Sequence, residues 1–97
     1  MKHMSEGFEL IHELVKHRWI PEIIGSIASG HENYSDILED HEFLSRTELN
    51  RKLSLLLEKN VVEKEVLENR SYYKLLEFGE DLDHIFKHFA DIGSKYI

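Results

Sequence analysis

Between residues 45 and 60 the chain reads SRTELNRKLSLLLEKN, and its polar side chains are of the types that recognise base edges. An Arg can pair two acceptors on guanine, an Asn can pair adenine, and a Thr hydroxyl can take a base edge or a phosphate. Thr47, Arg51, Ser54 and Glu58 recur at helical spacing on one side, with Asn50 beside them and Arg46 at the start. Ser45 offers a phosphate contact as well as a helix cap, and Lys52 and Lys64 offer two more. Arg70 lies in a turn further on, where it could reach a minor groove or the backbone. For the helical set the competing reading is a solvated polar face, and for Arg70 a plain surface side chain. The elements around these residues decide between the two.

Ser45 precedes the helix and Glu48 follows three positions later, which is a capping box. Leu49, Leu53, Leu56 and Leu57 form an apolar stripe opposite the polar set, so the helix packs by that side. Upstream, residues 34–40 (YSDILED) predict a short helix capped by Asn33 or Ser35, and HEFL is the turn between the two. Two short helices joined in this way, the second with an inward Leu stripe, are what a helix-turn-helix requires. Downstream, residues 61–67 and 71–76 predict strands by their β-branched and aromatic content, with Glu68-Asn69-Arg70 as the turn.

Three further helices complete the reading. Residues 7–17 place Phe8, Ile11, Leu14 and Val15 on one side, with Leu10 widening the arc. A second helix begins near Pro21, carries Ile20, Ile23, Ile24 and Ile27, and stops at Gly30, with Trp19 before it as a core anchor. A last helix runs from about Glu77 with Leu82, Ile85, Phe86, Phe89 and Ile92 on one face and Asp81, His84, His88 and Asp91 on the other. The first and last helices hold more apolar surface than a small core can use. Phe8, Leu10, Ile11, Leu14, Phe86, Phe89 and Ile92 are therefore the expected homodimer interface.

Composition narrows the classes. A chain of 97 residues predicts one domain, residues 1–97. No apolar run approaches the roughly 18 residues of a membrane span, and no signal-peptide pattern opens the chain, so a cytoplasmic protein is expected. There is no Cys, which removes disulfides, thiolate metal sites and thiol switches. The net charge of −7 is unusual for a nucleic-acid binder, but its distribution matters more than its total. Acids crowd residues 32–42 and 77–97, whereas Arg46, Arg51, Lys52 and Lys59 outnumber Glu48 and Glu58 in between. His84 and His88 lie one turn apart with Asp81 and Asp91, a spacing open to a divalent ion and equally to an ordinary polar face. HELVKH misses a zincin motif because its second His falls on another face. No catalytic residues, metal ligands or cofactor are expected.

These residues resemble an HxlR-type winged-helix transcriptional regulator of bacteria, from about Glu6 to the end of the chain. The resemblance is carried by Arg18-Trp19 followed by IPEIIGSIASG, by Tyr34-Ser35-Asp36-Ile37, by LSRTELNRKLSLLLEKNVVEK and by SYYKLLEFGEDL. It implies an α+β, mostly helical fold: a winged helix-turn-helix with a two-stranded wing and dimerisation helices at both ends. It also implies sequence-specific binding of a palindromic operator in double-stranded DNA by a homodimer, near the nucleoid, with no effector identifiable. The chain departs from the family where a Cys-Pro is common (Glu6-Gly7), before the basic-Trp pair (Lys16-His17), at Asn33 where an Arg is common, and in a short wing carrying Glu68. An acidic surface with Asn33 and Glu68 suits the alternative of a winged-helix protein-interaction module that has lost DNA binding.

Overall fold

The computed structural model describes residues 2–97, with side chains from Ser5 onward. Its elements run α1 (Lys2–Val15), α2 (Ile20–Ala28), α3 (Tyr34–Glu39), α4 (Arg46–Glu58), β1 (Val62–Leu67), β2 (Arg70–Leu75) and α5 (Glu77–Ser94). This is a winged helix-turn-helix: α3 and α4 form the helix-turn-helix, and the antiparallel β1–β2 hairpin is the wing. No helix among the described residues is long and apolar enough to cross a membrane.

The core is built on α2. Ile20, Ile23, Ile24 and Ile27 are buried and meet Ile37 of α3, Leu49, Leu53 and Leu56 of α4, Leu82 of α5 and Leu14 of α1. Each such side chain contributes about 1.5–3 kcal/mol relative to full exposure. Helix ends are set by local chemistry. Gly30 (φ 99°) lets the His31 and Gly30 amides donate to the Ser26 and Ile27 carbonyls and stop α2. Asn60 (φ 59°) does the same for α4: Val61 N–H reaches Leu56 C=O and Asn60 N–H reaches Leu57 C=O. That stop turns Val61 into the core and starts the wing.

Several expectations are corrected. The helix expected over residues 7–17 starts earlier, at Lys2, because nothing in residues 2–6 breaks it, and it ends at Val15. Of the two caps the sequence offers for α3, the structure forms Asn33: its side-chain oxygen accepts from Asp36 N–H at 2.9 Å and its amide donates to the Asp36 carboxylate at 3.0 Å. The wing turn is two residues rather than three. Leu67 pairs with Arg70, and Glu68 (φ 50°) and Asn69 (φ 66°) both take the left-handed backbone that a tight hairpin needs. Arg70 is therefore the first residue of β2. Leu14, grouped with the dimer set, is fully buried, because it lies in the core cluster with the α2 isoleucines. Ile11 and Phe86 are half-buried against the same core. Phe8, Leu10, Phe89 and Ile92 are exposed, at 69%, 45%, 62% and 41%.

Trp19 does more than fill space. It caps α2 in the left-handed region (φ 76°), its ring centroid lies 5.8 Å from that of His41, and the Arg18 guanidinium sits 5.1 Å from its ring centre. A bulky residue at positive φ is strained by about 1–3 kcal/mol, here in exchange for the sharp link between α1 and α2. Its buried indole N–H has no partner among the described residues.

Two polar struts tie the helix-turn-helix to α2. His41, in the turn, bonds through Nε2 to the Ser26 hydroxyl at 2.8 Å. His31, after α2, bonds through Nδ1 to Asp40 at the end of α3. Ser26 and His41 have the types of a nucleophile and base, but Asp40 pairs with His31 instead of orienting His41, and Ser26 is only 7% exposed. The hydrogen bond that the His31 imidazole donates to the Asp40 carboxylate holds the imidazole above its ordinary pKa and the Asp40 carboxyl below the usual carboxylate range. The His31 contribution is full below the unfolded imidazole value and is lost as pH rises through its raised folded value. The Asp40 contribution is present above the unfolded carboxyl value and is lost as pH falls through its depressed one. The pair should therefore stabilise the fold most between about pH 4 and 6.5. Melts of wild type and His31→Ala should differ most in that window and converge by pH 9; a gap that widens with rising pH would contradict this account.

Candidate nucleic-acid interface

Helix α4 is fixed at both ends, by the Asn60 stop at its C-terminus and by Ser45 at its N-terminus. Ser45 Oγ accepts from Glu48 N–H at 3.1 Å, and its hydroxyl lies 3.4 Å from the Glu48 carboxylate. The reciprocal half of the box thus runs to the hydroxyl, and Ser45 can meet a phosphate only by giving up that bond. Behind the helix Leu49, Leu53 and Leu56 are buried, and Leu57 is half-buried. In front, Arg46, Thr47, Asn50, Arg51, Ser54 and Glu58 are all exposed on one strip, while Lys52 is half-buried on its flank. A helix of 13 residues is about 20 Å long and narrow enough to lie in a major groove.

The wing is anchored at its base and free at its tip. Val62 and Tyr73 are buried, Leu76 N–H donates to the Val61 carbonyl at 2.9 Å, and Tyr73 N–H donates to the Glu32 carbonyl at 2.8 Å. Asn33 forms a bridge with Tyr72, so residues 32–33 lie along β2 as a minimal third strand. From Glu63 to Arg70 every residue is exposed. Glu63, Glu65 and Glu68 balance Lys64, Lys74 and Arg70, so the wing is close to neutral, and Val66 and Leu67 are apolar side chains in solvent. Lys64 lies with its ammonium 5.9 Å from the Tyr73 ring centre, which draws it onto the wing.

A cleft of about 240 Å³ separates the wing tip from the start of α3, lined by Asn33, Tyr34, Ser35, Asn69, Arg70 and Ser71. Arg70 and Tyr34 both line it. The Tyr34 ring lies 6.0 Å from the Arg46 guanidinium, and its hydroxyl lies 3.5 Å from the Arg46 carbonyl. Of the sequence-expected set, Arg46, Thr47, Asn50 and Arg51 come together on one strip, and Arg70 stands apart on the wing. Tyr34 was missed. It precedes Arg46 by 12 positions, and only the packing of α3 beside α4 brings them together.

The polar face of α5 carries His84 and His88, both exposed. Among the described residues no group of three or more His, Cys, Asp or Glu side chains is placed to hold a metal ion.

A family model described as HxlR-like helix-turn-helix matches residues 14–97. Among solved structures, the chain is similar to the transcriptional regulator YodB from B. subtilis in its reduced form, with 25% identity, a TM-score of 0.79, and 91% of this chain and 89% of that chain covered. It is similar to a protein from Porphyromonas gingivalis W83 assigned to the MarR family of transcriptional regulators, with 20% identity, a TM-score of 0.80, and coverage of 93% and 91%. A protein from Thermoplasma volcanium GSS1 assigned to the HxlR family gives 22% identity, a TM-score of 0.77, and coverage of 87% and 78%. No curated protein sequence matches the chain.

Proposed function

The chain belongs to the HxlR-like helix-turn-helix family, and from that premise we propose that it binds a palindromic operator as a homodimer and regulates transcription there. Residues 1–97 act as one DNA-binding domain in this reading, at the nucleoid in the cytoplasm. The observation that supports it most is the exposed strip of Arg46, Thr47, Asn50 and Arg51, capped by Ser45 and backed by buried leucines, with the wing beside it. Arg46 and Arg51 suit guanine edges, Asn50 adenine, and Thr47 a base edge or phosphate. Lys52 and Arg70 add backbone contacts. With so few cations on an acidic body, non-specific affinity should be weak and the salt slope shallow. A gel shift on the protein's own upstream DNA, titrated with salt, tests the proposal; no shift at low salt for any fragment sinks it.

Dimerisation rests on Phe8 and Leu10 of α1 and Phe89 and Ile92 of α5, which stand in solvent in the single chain. A twofold dimer would place two reading helices about 34 Å apart, one turn of DNA. Light scattering should report a dimer at micromolar concentration, and Phe89→Asp should shift it to monomer; a wild-type monomer under those conditions overturns this part.

The 97 residues hold no Cys, so the thiol-specific oxidant diamide should leave operator binding unchanged. A loss of binding that dithiothreitol reverses would contradict this.

A second reading, a protein-interaction module that no longer binds DNA, draws on the wing. Glu63, Glu65 and Glu68 repel phosphate, and exposed Val66 and Leu67 favour an apolar partner surface. The gel shift separates the two, since an interaction module should retard no duplex even at low salt, whereas DNA binding appears at low salt and weakens as salt is added.

A further inference from the structure

Arg46 is the first residue of the reading helix, and a solvated arginine there would sample many rotamers. Binding would then have to fix that side chain, an entropic cost near the upper end for any residue. The structure places one aromatic ring against it. Tyr34, the first residue of α3, holds its ring 6.0 Å from the Arg46 guanidinium and its hydroxyl 3.5 Å from the Arg46 carbonyl. Tyr34 is itself fixed. It is half-buried and packed on the core, and its backbone is set by the Asn33 cap. The same side chain lines the cleft beside Arg70, so it stands between the start of α4 and the wing tip.

We propose that Tyr34 is a positioning residue, holding Arg46 in the orientation in which it meets DNA. This rests on the DNA-binding reading above. Guanidinium over a ring face keeps its N–H groups in the plane free to bond outward, so the contact orders Arg46 without using its donors. Tyr34 need not touch the duplex to matter. A change there acts only through Arg46.

Two measurements test this. The variants are Tyr34→Leu, which keeps apolar packing and removes the π face and hydroxyl, and Tyr34→Phe, which keeps the ring. In the free protein, ¹⁵N relaxation of the Arg46 Nε–H group reports its order without DNA. Tyr34→Leu should make that group mobile, and Tyr34→Phe should leave it as in wild type. On the operator, Arg46→Ala should weaken binding about 5- to 150-fold. Tyr34→Leu should weaken it roughly 2- to 5-fold, the scale of an exposed cation–π contact, and Tyr34→Phe should restore it. In the Arg46→Ala background Tyr34→Leu should have no further effect. Additive losses in the double variant overturn the proposal, and so does an Arg46 Nε–H group indifferent to Tyr34→Leu. A wild type that binds no duplex while Arg46 order still depends on Tyr34 overturns the DNA-binding reading and supports the positioning contact.

Discussion

Replacing Arg51 by Glu should abolish operator binding while leaving the melting temperature within about 4 °C of wild type. Arg51 is exposed on the strip opposite Leu49, Leu53 and Leu56, and no ion pair among the described residues engages it. Substitutions at such sites rarely shift stability by more than about 0.5 kcal/mol. The neutral variant separates two roles. If Arg51 reads a base, Arg51→Ala should cost about 1–3 kcal/mol and relax preference at one operator position. If it neutralises a phosphate, the loss should be uniform across sequences and the salt slope should fall by about one. The Glu variant adds a repulsive charge to a chain already at −7, so its loss should exceed that of Ala. Electrophoretic shifts with a randomised operator library would measure all three. Wild-type affinity in Arg51→Glu would mean that α4 does not face DNA.

Gly79→Ala should be the most damaging single methyl in the chain. An added Cβ there would lie 2.3 Å from the Val61 carbonyl oxygen and 3.0–3.2 Å from Leu75. That carbonyl is backbone and already accepts from Leu76 N–H at 2.9 Å, so it cannot swing aside. Overpacking of this kind costs about 3 kcal/mol or more, against roughly 1 kcal/mol gained by replacing a helical Gly. The net loss of about 2 kcal/mol should lower Tm by roughly 8–16 °C in a domain of this size. Gly93 is the control. A Cβ there meets nothing within 4 Å, so Gly93→Ala should be neutral or mildly stabilising. Equal melts for the two variants would show that α5 does not press on Val61 as described.

Features set by local chemistry were legible in the sequence. Ser45 with Glu48, Gly30 after α2, and the Leu stripe of α4 each predict their own structure within a few residues. The polar strip of α4 follows, because exposure is the complement of that stripe. What the sequence could not give depends on distant partners. Leu14 and Phe8 share one helical face, and only the position of α2 decides that the first is enclosed and the second left in water. The expected wing turn runs one residue too far, into Arg70, because the pairing of Leu67 with Arg70 across the strands, not residue type, closes the turn at Glu68 and Asn69. Trp19 read correctly as an anchor, but its left-handed cap and its contact with His41 arise from the tight link between helices. Tyr34 carried no signal of a role, since its partner lies on another helix.

The single bond from the Tyr73 amide to the Glu32 carbonyl divides the wing into two stretches of different lifetime. Below it, the hairpin shares buried side chains with the helices, so its amides can exchange with solvent only when the domain opens as a unit. Above it, every side chain of β1 and the turn from Glu65 to Arg70 is in water, and the tip can open by local fluctuation at little cost. The division separates two kinds of inherited change. Substitutions at the tip alter what the wing touches and leave the fold unburdened, whereas those below the bond are held by the core. A lineage could therefore exchange one wing-tip partner for another through viable single steps, with the helical body unchanged throughout.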